Sequence, residues 1–189
     1  MANRNSAGFG FVAAGTLGNT PSSQGLSEYF IDAGDSANKF NGMAVRVTAG
    51  YIVTGEDSAT GTTVGVLNGI FYNAATTLKP TFANAYIATI TPANSEDVDA
   101  FVFDNPQQQY VVATDATVAQ AGFLETYDMN TSAGSDTTGK SSATLDIGDT
   151  SADAASWRLL RSAEDPENED ITAAFASVVV VANLIELQS

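Results

Sequence analysis

The chain has 189 residues, seven Lys+Arg against twenty-two Asp+Glu, a formal charge of −15, and neither cysteine nor histidine. That composition excludes disulfides, thiolate metal sites, cysteine nucleophiles, imidazole bases and any Ser-His-Asp triad. A strongly acidic surface also repels nucleic-acid phosphate, whose binding depends on clustered Lys and Arg that release counterions.

In chain order, residues 1–27 stand apart: they carry a single charge, Arg4, and are rich in Gly, Asn, Ser and Ala. Such a composition cannot by itself bury enough surface to offset the entropy of ordering. Yet Phe9, Phe11, Val12 and Leu17 are sizeable apolar residues on this polar stretch, and they point to an extended N-terminal arm. The stretch reads either as a floppy terminus or as an arm that docks on its own body or on a neighbouring subunit. Phe9–Gly15 is too short and too broken by glycine for a secretory signal, so folding in a cytoplasm is expected.

From Phe30 onwards short apolar runs alternate with turn signals, the pattern of an all-β domain. Met43–Val47 alternates, with Met43, Val45 and Val47 on one face. Tyr51–Thr54 follows the Ala49-Gly50 turn. In Thr62–Tyr72, Val64, Val66, Ile70 and Tyr72 share one face, and Leu67, Phe71, Gly65 and Gly69 the other. Glycines inside a strand predict bulges or the close approach of another backbone. Further strands are expected at Tyr86–Ile90, Ala100–Phe103, Tyr110–Ala113, Leu124–Thr126, Thr144–Ile147 and Trp157–Arg161. Helix signals are few: Asp115 is a candidate cap for a short helix over Ala116–Ala121, and Ala152–Ala155 could form one turn.

Ser177–Leu187 is the strongest element, β-branched and apolar on both faces. A strand of that kind belongs inside the domain or under another subunit, because an exposed edge would aggregate. It is far shorter than the roughly 20 residues needed to span a bilayer, so no membrane association is expected. The fold reading is all-β, a compact β-barrel or β-sandwich of about ten short strands with little helix. Residues 1–27 form the extended arm and residues 28–189 a single β-rich domain.

Charge is uneven along the chain. Residues 1–94 hold four basic and five acidic residues, and residues 95–189 three and seventeen. Either the later loops are simply solvated, which favours solubility, or the protein has a nearly neutral contact side and an acidic side facing solvent. Motifs for chemistry fare poorly. Gly134–Ser141 matches the bare G-x-x-x-x-G-K-S spacing but lacks the strand before and the helix after that a phosphate loop needs. Asp146, Asp149 and Asp153, and the acidic run Glu164–Asp170, offer oxygens to Ca²⁺ but no EF-hand loop. Asp97, Asp99 and Asp104 are sequence neighbours, which does not make a carboxylate pair in a cleft. Trp157 sits in an apolar strand and reads as core. No enzyme, metal or cofactor is expected.

Several stretches carry a resemblance: Met1–Phe11, Val64–Tyr72, Lys79–Tyr86, Asp99–Pro106, and Trp157–Leu160 with Asp165–Asn168. Together the chain resembles small head proteins, capsid decoration (cement) proteins, of marine and freshwater tailed bacteriophages. These are recurrent strand-and-turn phrases and not catalytic signatures. The resemblance implies a non-enzymatic virion structural protein on the outer capsid surface, assembled in the host cytoplasm. It would bridge neighbouring subunits of the major capsid protein, associate with itself as a dimer or trimer, and bind no nucleic acid directly. Arg4, Phe9, Phe11 and Leu17 are the candidate capsid or subunit contacts. The alternative is a tail- or fibre-associated module, or a carbohydrate-binding virion module.

Overall fold

A computed structural model describes residues 3–18, 26–55, 62–130, 134–150, 155–183 and 185–188. Among these residues twelve strands form two antiparallel sheets in a sandwich-like arrangement that is not a closed barrel. Sheet I orders β1 (Val12–Thr16), β8 (Gln108–Ala113), β12 (Ser177–Ala182), β11 (Trp157–Ser162), β9 (Thr126–Asn130) and β10 (Thr144–Thr150). Sheet II orders β2 (Ser27–Ile31), β7 (Val98–Phe103), β5 (Gly65–Asn73), β3 (Ala44–Thr48) and β4 (Tyr51–Thr54), with β6 (Pro80–Ala83) paired to the far half of β5. Pro80 suits β6, a strand with a free edge, since proline cannot donate to a ladder and discourages further pairing.

Alternation along the strands builds two cores. On sheet I, Tyr110 and Val112 of β8, Val178 and Val180 of β12, and Trp157 and Leu159 of β11 point inward around the buried indole. On sheet II, Val98, Ala100 and Val102 of β7 meet Ile31, Val45, Ile52, Leu67 and Ile70 in a second core. The sheets meet where Ala44 and Val66 turn their side chains from sheet II into the first core, with Phe103 packed beside them. One face of sheet II is therefore internal at its centre, with Tyr29, Val47 and Tyr72 half-buried at its margins. The other is internal only at the end that covers sheet I.

The expected final strand is interior but shorter than Ser177–Leu187: β12 ends at Ala182 and Glu186–Gln188 form a 3₁₀ turn, while β12 lies between β8 and β11 with Ser177–Val181 all buried. Its valines favour the extended backbone, and both faces find cover within the chain. In β5 the register slips between Leu67 and Gly69 against β7. The bulge expected from glycine is present, and it reverses the side-chain phase. Val66 faces the first core while Leu67 and Ile70 share the second, so the expected common face of Val66 and Ile70 is broken. Gly65 marks a close approach: a Cβ there would lie 2.1 Å from the Phe103 carbonyl oxygen.

Other expectations need correcting. Tyr86–Ile90 is not a strand; only Tyr86 pairs, in an isolated bridge with Lys39. Residues 116–121 form no α-helix, and a short 3₁₀ turn over Gln120–Gly122 stands near their end. β9 begins at Thr126, after an exposed Leu124 at φ +69°. Residues 152–154 of the expected Ala152–Ala155 turn lie outside the described residues. None of the described helices is long and apolar enough to cross a membrane.

The boundary between sheets falls near residue 104, so charge follows the fold. Residues 1–103 carry four basic and eight acidic residues, and residues 104–189 three and fourteen. The acid-rich part is mainly the sheet I half of the molecule. That division is milder than the one counted at residue 94, because Glu96, Asp97 and Asp99 belong to sheet II or the turn leading into it.

Candidate functional site

The described part of the arm, residues 3–18, is extended but laced into its own body. Asn3 donates its side-chain amide to the carbonyl oxygens of Asp170 and Ala174, each at 3.0 Å, and its Oδ1 accepts from the Asp170 amide. The Asn5 amide donates to Asn168 Oδ1 at 2.7 Å. Arg4 meets both carboxylate oxygens of Glu167 at 2.7 Å. The acidic run Glu164–Asp170 thus serves as a latch for the chain's beginning. Thr172, through its hydroxyl and amide, is foremost in holding the Asp170 carboxyl down to about 2.

Further along, Gly10 takes φ +78°, where a Cβ would lie 2.8 Å from the Gly42 carbonyl oxygen, so glycine alone lets the segment turn inward there. The turn delivers Phe11 to the centre of the first core. Its ring stacks on Trp157 at 4.2 Å and meets Tyr110 edge-on at 6.3 Å. β1 then adds to the edge of β8.

The four expected contact residues therefore part company. Phe11 is 2% exposed and belongs to the interior. Phe9 is half-buried beside the loop from Gly134 to Ser142. Arg4 is an exposed latch residue, and Leu17 is exposed beyond the end of β1, its amide donating to the Gln107 carbonyl. Sequence periodicity could not separate them, because the arm's partners, from Gly42 to Ala174, are distant in the chain.

The sequence motifs disperse in the same way. Gly134–Ser141 is a tight loop in which Ser135 pairs with Lys140, and it leads into strand β10. Asp97 accepts from the Tyr51 hydroxyl and the Ala33 amide, and Asp104 accepts from the Tyr29 hydroxyl at 2.9 Å. Among the described residues no group of three or more carboxylates is placed to hold a metal ion. Asp153 and the side chain of Asp149 lie outside the described residues.

What the sequence did not single out is the open end of sheet II. One cross-strand row runs Phe82 on β6, Phe71 on β5, Asp99 on β7 and Phe30 on β2. The next row places Phe101 of β7 between Gly69 and Glu28. Phe71 and Phe82 have ring centroids 4.7 Å apart, and Phe82 and Phe101 lie 6.5 Å apart. Phe82 is 74% exposed and Phe30 47%. Four phenyl rings thus form an outward-facing platform on four adjacent strands, with a carboxylate set among them. Partial burial pushes the Asp99 carboxyl above its ordinary range, and the charge of Glu28 adds to the effect. Neither acid is paired with a cation among the described residues. The alternation of Phe101 with Ala100 and Val102 was the available signal, since the intervening residues of β7 face away from the second core, Phe101 at the open end and Phe103 at the end covered by sheet I.

On the opposite face of β2, Tyr29 packs against the second core and donates its hydroxyl to Asp104. Burial, followed by that hydrogen bond, pushes its hydroxyl from 10.0 up to about 12. A folded value above the unfolded one means stability that is complete below pH 10 and is lost as pH rises through about 12. Urea unfolding at pH 9 and pH 11.5 is expected to show a weaker fold at the higher pH. Tyr29→Phe should reduce that loss; an unchanged difference between the two pH values would rule out this source.

Comparison with models of known families, with curated proteins and with solved structures finds no match for this chain.

Proposed function

We propose that the chain is a non-enzymatic virion structural protein, a capsid decoration (cement) protein that seats on neighbouring shell subunits through the phenylalanine face of sheet II. The observation that carries the reading is the platform of Phe30, Phe71, Phe82 and Phe101 on the less acidic half of the molecule. Contiguous exposed aromatic surface is costly in a free protein and marks a contact surface. The acid-rich sheet I half would then face solvent. The stepwise phage-head resemblance of the sequence supplies the partner, the major capsid protein, and the place, the outer surface of a head assembled in the host cytoplasm.

Bridging neighbours in this way opposes the outward pressure of a packed genome. Many copies on one lattice make a modest affinity per copy sufficient. Self-association as a dimer or trimer belongs to the same proposal, with Arg4, Phe9 and Leu17 as rim candidates, while Phe11 acts within the fold. Direct binding of nucleic acid, membrane or cofactor forms no part of it.

A second reading has one observation in its favour. Asp99 and Glu28 beside the rings supply hydrogen-bond acceptors next to surfaces on which a sugar could stack, as a carbohydrate-binding virion module would need. The test separates the two. Purified protein is mixed with emptied, expanded heads of the encoding phage and followed by co-sedimentation and negative-stain microscopy. Occupancy of repeated lattice positions is expected. Phe82→Ser should weaken it at least about tenfold while shifting stability by no more than about 0.5 kcal/mol, since the ring is mostly exposed. Binding to host-surface glycans with none to heads would transfer the reading to the second.

A further inference from the structure

We infer that the phenylalanine face receives an arginine- or lysine-bearing segment of the partner protein, its cationic head directed at Asp99. This rests on the decoration reading for the partner's identity, and on the platform's own chemistry for the cation. The Asp99 side chain stands in the row between Phe71 and Phe30, with Phe101 two residues along its own strand. Glu28 follows in the neighbouring row, directly opposite Phe101. The platform therefore offers phenyl rings and two neighbouring carboxylates with no cation of the described residues set against either.

Aromatic rings attract cations through their quadrupole, and a carboxylate beside them adds a charge-assisted hydrogen bond. An extended segment with a basic residue between apolar ones matches both demands. Its apolar side chains would cover Phe82 and Phe30, and its charge would relieve the repulsion between Asp99 and Glu28.

Charge also argues against a second copy on this face. Two platforms brought together would place four carboxylates at one contact between chains that each carry −15. A neutral or acidic segment would leave Asp99 desolvated without compensation.

The test uses a capped Leu-Arg-Leu-Arg-Leu peptide and its citrulline counterpart, titrated into the full chain and followed by phenyl-ring NMR shifts. The arginine peptide is expected to bind roughly tenfold more tightly than the citrulline one. Asp99→Asn, which keeps the side-chain shape, should abolish that preference. Phe82→Ala should weaken both peptides. Head binding by the native chain is measured in parallel, at low and high salt. Head binding that Asp99→Asn leaves unchanged, with no preference for arginine over citrulline, overturns the inference and leaves the decoration reading standing. A clear arginine preference without any head binding sustains the cation site and overturns the decoration reading instead.

Discussion

Replacing Phe11 with alanine is expected to destabilise the protein by about 3–5 kcal/mol, the range for emptying a buried phenyl site. The ring is 2% exposed and lies against Trp157 and Tyr110, so its removal opens a hole beside the indole at the middle of the first core. In a chain of this length that corresponds to a fall in Tm of roughly 6–20 °C. Phe11→Leu, which refills most of the volume, should cost less than half as much. Thermal unfolding monitored at the single tryptophan reads both variants directly. If Phe11→Ala melted within 2–3 °C of the parent (about 1 kcal/mol by the same scaling), the arm could not be an integral part of the core.

The same packing changes what truncation means. An arm that only reached out to a partner could be cut away to leave a folded domain. Here removal of residues 3–16 would strip β1 from the edge of β8, take Phe11 from the core, and release Asn3, Arg4 and Asn5 from the loop that precedes β12. A truncated chain that fails to bind capsids would therefore report on folding before it reported on contact. Contact is better probed at Phe82, whose ring holds little of the fold together.

How much of this was legible follows from where the information lies. Alternation over two to nine residues is local, so β3, β4, β7 and β8 could be read from the chain with their boundaries nearly right, whereas the strand expected over Ser177–Leu187 ends at Ala182. The arm could not, because its order comes from partners distant in the chain, from Gly42 to Ala174, and its glycines look like flexibility until a backbone lies against them. Tyr86–Ile90 failed for the opposite reason. Its apolar residues do serve burial, but the segment is held by a bridge to Lys39 and not by a neighbouring strand. The phenylalanine platform was half legible: the rings were visible as strand residues, but only the register of β6, β5, β7 and β2 brings them onto one surface. A single bulge at Gly69 decides which side of β5 carries Phe71.

Lys39 supplies the sharpest test of the polar part of the fold. Its side chain is fully buried, with Nζ 2.6 Å from Asp35 Oδ2, 3.1 Å from the Ala37 carbonyl oxygen and 5.2 Å from the centre of the Tyr86 ring. The Lys39 and Tyr86 backbones exchange hydrogen bonds at 2.8 Å, and the Tyr86 hydroxyl donates to the Asp35 carbonyl at 2.8 Å. This knot ties the stretch after β2 to the loop after β6, where no strand does the work. Removing one member of a buried ion pair strands the other in a poor solvent, at a cost of about 3–5 kcal/mol. The two partners are not equivalent, however. Asp35 retains some access to water, whereas Lys39 has none. Asp35→Ala should therefore approach the full cost, by leaving an ammonium enclosed with only a carbonyl and a ring for company. Lys39→Met should cost only about 1–2 kcal/mol, because an unbranched side chain refills the channel and the remaining carboxylate can hydrate. Urea unfolding of the two single variants and of the double variant gives the coupling energy. The reverse order, with Lys39→Met the more damaging, would mean that the ammonium's bond to Ala37 and its place over Tyr86 outweigh its pairing with Asp35.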